Sequence, residues 1–340
     1  MHLRASLPVV TLFAAAALVA QNPDRPQRRD RGGWEMPKVE LKNLTFTEAK
    51  FHSDAVNQDL PFGIFLPKDY ADEKNKDVKY PLVVWLHGMF EDHMRFYGRG
   101  GSPLLDQAVG DGTLPPCVFV CANGGRTSMY LNRKDQKWED AITVDLLAHI
   151  AKNYRVSDKR EQRALMGVSL GGMAALRMAF TKPELFGTVA VHSSAIFSED
   201  PEQLPQMVKG MASRMGLEEE FGNPIQKEPW QHANPLCLAA SVDEKKLASL
   251  RIYFDAGTND RLGLHAGNKA LHAKLEERKI AHDWRLIDGG GHSWGDHFQD
   301  NALPFSFAFV GQGFGAKPAK PAAKPAEANG GGKAPSDGKK

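Results

Sequence analysis

Along its length the chain alternates short apolar runs with longer segments whose apolar positions recur at helical spacing. "LTFTEAKF" (44–51) and "PFGIFLP" (61–67) show the period of two expected of strands with one covered face, and they predict an antiparallel pair. "YPLVVWLHG" (80–88), "CVFVCANGG" (117–125), "RALMGV" (163–168), "GTVAVHSS" (187–194) and "RIYFDAG" (251–257) are continuous apolar runs, as strands buried on both faces require. "HDWRLIDGG" (282–290) predicts a last strand. Helical spacing falls between them, in "WEDAITVDLLAHIAKNY" (138–154), residues 170–180, "GLHAGNKALHAKLEERKI" (263–280) and the closing "DHFQDNALPFSFAFVG" (296–311). Residues 197–236 contain no strand pattern and predict a helical insertion over one end of the sheet. Buried strands alternating with helices imply an α/β fold, with a mostly parallel central sheet, antiparallel first strands and helices on both faces.

Chemistry concentrates at one seam. "MGVSLGG" (166–172) ends a buried strand and opens a helix, and contains Gly167-x-Ser169-x-Gly171. Two residues without side chains let strand and helix approach closely and hold the serine in a sharp turn above the sheet. Free N–H groups at the helix start can there stabilise a developing negative charge. A serine hydroxyl needs a base to become a nucleophile. His292 lies in the glycine-rich loop after the last strand, whereas His297 falls in the closing helix, where a surface or capping role is expected. For the acid, Asp260 in the turn "GTND" is preferred to Asp255, which sits inside the strand and is expected to bond backbone; Asp288 lies too close to His292 in the same loop. An oxyanion needs two donors, assigned to the backbone N–H groups of Leu170 and Met89, with His87 bracing the Met89 loop.

Taken together and in order, "PLVVWLHG", "GVSLGGMAALRMAFTKPELFGTVAVHSSA", "YFDAGTND" and "GGHSWGDH" resemble the esterase D-like α/β-hydrolases over about residues 40–312. That group includes S-formylglutathione hydrolases, feruloyl and acetylxylan esterases, enterochelin esterases and mycolyltransferases. The resemblance implies an α/β-hydrolase fold in which Ser169, Asp260 and His292 act as a triad, Met89 and Leu170 form the oxyanion hole, and Pro183 and Phe186 pack the nucleophile helix on the sheet. "HGMFED" departs from the family pattern in lacking a second glycine pair after the histidine. The expected activity is serine carboxylesterase chemistry on a small-molecule or polysaccharide-linked ester. Acyl transfer to an alcohol, thioester hydrolysis and a non-catalytic binding role are the alternatives. Trp230, Trp294 and Tyr130 could stack on a sugar or aryl group, or simply pack. No cofactor is expected, and no ligand cluster accompanies His292 and His297, so no metal is expected either.

The ends change the picture of charge and location. "MHLRASLPVVTLFAAAALVA" (1–20) reads as an export signal, its run of about 14 apolar residues being too short to span a bilayer. A polar linker (21–33) follows, then the catalytic domain (34–312) and a Pro/Ala/Lys/Gly tail (313–340) expected to be disordered. The formal charge of +2 is deceptive, because residues 1–33 carry +3 and residues 313–340 carry +4, leaving −5 on residues 34–312. No basic patch interleaved with aromatics appears, which argues against nucleic-acid binding. An exported chain with no membrane insertion after signal cleavage is expected. Cys117 and Cys121, about 13 Å apart along one strand, cannot pair; they read as buried apolar groups, and only a bridge to Cys237 is conceivable.

Overall fold

The computed structural model describes residues 39–317 apart from Met215 and Asp296. The expected export signal, the linker and all but the first residues of the expected tail lie outside the described residues. Those described fall in one compact unit, Lys38–Lys340.

Eight strands form one sheet: β1 (Leu44–Ser53), β2 (Gln58–Pro67), β3 (Leu82–Leu86), β4 (Val118–Ala122), β5 (Arg163–Val168), β6 (Thr188–His192), β7 (Arg251–Gly257) and β8 (Asp283–Ile287). Their spatial order is β1-β2-β4-β3-β5-β6-β7-β8. β1 pairs antiparallel with β2 and β2 with β4, while every other pairing is parallel. All six strands first expected from apolar or alternating runs up to residue 194, and the two after them, are therefore present, in the α/β-hydrolase arrangement the motifs implied.

Five longer helices cover the sheet: α1 (Gly101–Gly110), α2 (138–153, with a π-helical middle at Ala141–Leu146), α3 (Leu170–Thr181), α4 (His265–Glu277) and α5 (Leu303–Gly313), the last entered through a π turn at Phe298–Ala302. Side-chain alternation sorts each buried strand between two layers. Leu82, Val84 and Leu86 of β3 and Leu165 of β5 join the core with Ala174, Ala175 and Phe186, on the side of α2, α3 and α4. Val83, Trp85 and Met166 join Leu105, Phe307 and Val310, on the side of α1 and α5. Each such side chain, when fully buried, contributes on the order of 1.5–3 kcal/mol relative to exposure. Pro183 is buried at the end of α3, and Phe186 is fully buried in the core beneath it.

The insertion is helical, in short pieces: Gln206–Gly210, Leu217–Phe221, Lys227–Ala233 and Pro235–Ser241. It carries its own apolar cluster, in which Leu204, Val208, Phe221 and Trp230 pack against Leu170, Met173 and Phe197. Thus the insertion rests on the end of the sheet where α3 begins. All three cysteines are free thiols, so the conceivable bridge to Cys237 is not formed. Burial pushes the Cys117 thiol up to about 12, in keeping with an inert packing role. No helix among the described residues is long and apolar enough to cross a membrane.

Candidate active site

β5 delivers Ser169 directly to α3. The serine has φ 56° and ψ −117°, a conformation that L side chains rarely adopt and that marks stored backbone strain. The turn is over-determined by main-chain bonds: Ser169 N–H donates to His192 O (2.9 Å), and Ser169 O accepts from Ala195 and Met173. Glycine is required on both sides. A Cβ on Gly171 would lie 2.2 Å from Leu86 O, and one on Gly167 2.7 Å from the Gly171 carbonyl. α3 consequently starts against the carboxyl end of β3, with Ser169 raised between them.

The loop after β8 brings in the imidazole. Asn259 N–H donates to Gly290 O (2.7 Å) and Thr258 N–H to Ile287 O (3.0 Å), laying the glycine run against the end of β7. Beyond it, Trp294 packs on Trp85 and Phe96, with ring centroids at 5.9 and 6.2 Å. The loop therefore reaches from the sheet edge back to β3, across the carboxyl ends of β7, β6 and β5. His297 has a definite task at the start of the closing helix: its Nδ1 accepts from Gly291 N–H (3.4 Å), bracing the loop. Asp288 is occupied with Thr258 Oγ1.

His292 Nδ1 lies 3.0 Å from Asp260 Oδ2, while Asp260 Oδ1 accepts from Leu262 N–H (2.8 Å). Burial would raise the Asp260 carboxyl, but its bond to His292, the charge of that ring and the Leu262 N–H outweigh it and hold the carboxyl below its usual range. No hydrogen bond joins the Ser169 hydroxyl to His292 among the described residues; in hydrolases this contact is often long at rest and tightens on substrate binding.

Asp255 departs from the expectation that it bonds backbone through its side chain. Its Oδ2 sits 2.7 Å from His192 Nδ1 and accepts from the Tyr253 hydroxyl (2.9 Å), all three groups being buried. Register explains this. Asp255 stands opposite His192 in the β6–β7 ladder, and Tyr253, two residues earlier, shares its face.

The Met89 loop shows which N–H is left for an anion. Gly88 N–H donates to Glu91 Oε2 (2.9 Å) and Phe90 N–H to Arg126 O (2.7 Å). Among the described residues Met89 N–H and the first-turn N–H of Leu170 have no partner. His87 braces the loop, as expected: its Nδ1–H donates to Gly88 O (2.8 Å), its Nε2 accepts from Gly124 N–H (3.2 Å), and its carbonyl accepts from the Tyr130 hydroxyl (3.0 Å). Burial pushes His87 down to about 4, against the opposing pull of its bond to Gly88, so the ring is neutral.

Tyr130 and Trp230 are packing residues. Tyr130 is fully buried, and Trp230 is buried with its Nε1–H donated to Ser198 O (2.9 Å). Trp294 is half-buried against Trp85. What the sequence left open is which insertion residues form the cavity wall. Beside Ser169 the cleft is lined by Met89 and Leu170, by Pro205, Met207, Val208 and Met211 of the insertion, and by Leu262 and Leu264. The insertion residues carried no signal beyond helical spacing, because what they face is decided by tertiary docking.

Residues 53–304 match the model of the Esterase family ("Putative esterase"). Among curated proteins, the chain is 24% identical over 178 residues to an endo-1,4-beta-xylanase/feruloyl esterase of Xylanibacter ruminicola, covering 51% of this chain and 24% of that one. It is 24% identical over 270 residues to the iron(III) enterobactin esterase of Escherichia coli, covering 78% and 58% respectively. The chain thus spans a quarter to somewhat over half the length of these relatives. Among solved structures, a ferulic acid esterase superposes with a TM-score of 0.66 at 24% identity, over 81% of this chain and 100% of that one. An S-formylglutathione hydrolase from Agrobacterium tumefaciens superposes with a TM-score of 0.62 at 17% identity, over 81% and 98%. With a family match that spans most of the chain and a fold shared with esterases of known structure, the chain belongs to the Esterase family.

Proposed function

We propose that this protein is an exported serine esterase that cleaves acyl esters through an acyl-enzyme intermediate. Ser169 attacks the ester carbonyl, His292 takes the hydroxyl proton and returns it to the leaving alcohol, and Asp260 holds the imidazole in the required tautomer. The N–H groups of Leu170 and Met89 receive the oxyanion. Water then attacks the acyl-enzyme, again with His292 as base, and releases the acid. The observations that carry this reading are the Asp260–His292 pair, whose histidine lies on the loop that packs back against β3, and the strained Ser169 turn beside that strand's carboxyl end. The acyl group bound beside Ser169 would be short and aliphatic, because apart from Ser169 the cleft wall is apolar and offers no side-chain partner for a phenolic hydroxyl. Relatives named for feruloyl and enterobactin esters support ester cleavage, and the apolar wall argues that a feruloyl group is the poorer fit here.

The direct test is turnover of acetyl, butyryl and feruloyl esters by wild type and Ser169→Ala. The variant should lose roughly 10⁴-fold or more in turnover with its fold intact. Full activity in a pure, folded variant would overturn the reading.

A further inference from the structure

Three potential ligands converge between α4 and the edge strand β8, away from the Ser169 cleft. His272 and Glu276 lie one turn apart on α4 and so share a face, and His282 immediately precedes β8. β8 runs parallel to β7, so His282 lies at the opposite end of the strand from the His292 loop. His272 Nδ1 is 2.8 Å from His282 Nε2, and Glu276 Oε1 is 3.8 Å from the same nitrogen. One ligand atom from each residue lies within 4.8 Å of the others, the one such group of three among the described residues.

The protonation pattern suits an ion. His282 Nδ1 is 2.7 Å from Ile280 O, which can only accept, so Nδ1 carries the proton and Nε2 presents its lone pair to the cluster. Without an ion His272 Nδ1–H donates to that lone pair, and an ion would take its place once the His272 proton moves to Nε2. A backbone carbonyl holding the far nitrogen is the arrangement that orients histidines at metal centres. Both rings are held in place by neighbours: Phe254 stacks on His282 (5.6 Å, 15°) and Trp284 on His272 (5.9 Å, 23°). The His282 side chain is only 1% exposed, whereas Glu276 is 66% exposed and free to swing inward. With zinc–nitrogen bonds of about 2.0–2.1 Å at a tetrahedral angle the two nitrogens would stand about 3.3 Å apart, a small opening from their present separation. Two imidazoles and a carboxylate, with water completing the shell, suit zinc, copper or nickel better than calcium or magnesium.

We propose that His272, Glu276 and His282 bind a divalent transition-metal ion of the zinc class, which clamps α4 to the edge strand and takes no part in ester cleavage. Sequence spacing gives no hint of this site, because the third ligand arrives from another element.

The test uses the full chain, stripped with a chelator and titrated with Zn²⁺ and, separately, Co²⁺. One equivalent of Zn²⁺ should bind and raise the melting temperature, and Co²⁺ should give the visible absorption of a tetrahedral site. Glu276→Gln, an exposed change that leaves folding intact, should weaken Zn²⁺ binding about tenfold or more. His272→Gln should remove the one-equivalent binding and the cobalt spectrum while ester turnover stays at the wild-type level. The proposal is overturned if no single equivalent binds, or if wild type and Glu276→Gln bind Zn²⁺ with equal affinity and melt alike.

Discussion

Asp260 and Asp255 are five residues apart, and each pairs with a histidine, yet their environments assign them different work. Asp260 meets His292 in the loop region above the strand ends, while Asp255 is buried between His192 and Tyr253 inside the sheet. Asp260→Asn should leave the denaturant midpoint nearly unchanged and lower turnover by up to about 10⁴-fold, since the amide favours the wrong imidazole tautomer. Asp255→Asn should cost about 1–3 kcal/mol of stability, by disturbing buried hydrogen bonds, and affect turnover chiefly through that loss. Turnover and denaturant midpoints of both variants check the pair together; an Asp255→Asn protein that is stable but inactive would reverse the assignment. That Asp260 and not Asp255 would meet His292 was legible in the sequence, because one follows the strand and the other lies within it. The partners of Asp255 were not, because they depend on which strand lies alongside and in what register.

Elements explain why the turn and the loop beside it tolerate little change. Gly171→Ala would press a methyl into Leu86 O and His87 O, backbone atoms that cannot step aside, and should destabilise by about 1–3 kcal/mol or more, measured as a shift in denaturant midpoint. His87 ties the β3 loop together only as a neutral ring. Its folded value of about 4 lies below the unfolded value of about 6.5, so the unfolded chain binds the extra proton between them. This contribution is complete above about pH 6.5 and falls by about 3 kcal/mol as pH drops toward 4. His87→Gln retains a donor and an acceptor, and should flatten stability against pH across that window; an unchanged slope would assign the pH dependence elsewhere. The buried strands were plain in the sequence, since wholly apolar runs have few other places to go. α1 was not: Leu104, Leu105, Ala108 and Val109 have helical spacing, but Gly100, Gly101, Ser102 and Pro103 ahead of them read as a loop. Only packing of Leu105 against Phe96 and Phe307 in the second core makes that segment a helix.

For the molecule as a whole, the sheet is the platform, and the loops at its carboxyl ends hold the candidate catalytic side chains, as in other parallel sheets. The insertion walls the Ser169 cleft with apolar side chains, which in the proposed mechanism would select the acyl group. Met207 is half exposed on that wall, so Met207→Glu should fold normally while lowering kcat/KM for butyryl esters about tenfold and sparing acetyl esters. Equal loss on both would mean that the acyl chain lies elsewhere. Which insertion side chains form this wall was not legible beforehand, although the three candidate catalytic side chains were, because their positions follow from strand ends whereas the wall follows from docking of short helices. The most direct measurement of the central claim is labelling by a fluorophosphonate probe, followed by mass spectrometry of the modified peptide. A single adduct on Ser169, formed rapidly in wild type and slowed by orders of magnitude in His292→Ala, is the predicted result. An unmodified Ser169, or labelling at an undiminished rate without His292, would contradict the proposed mechanism.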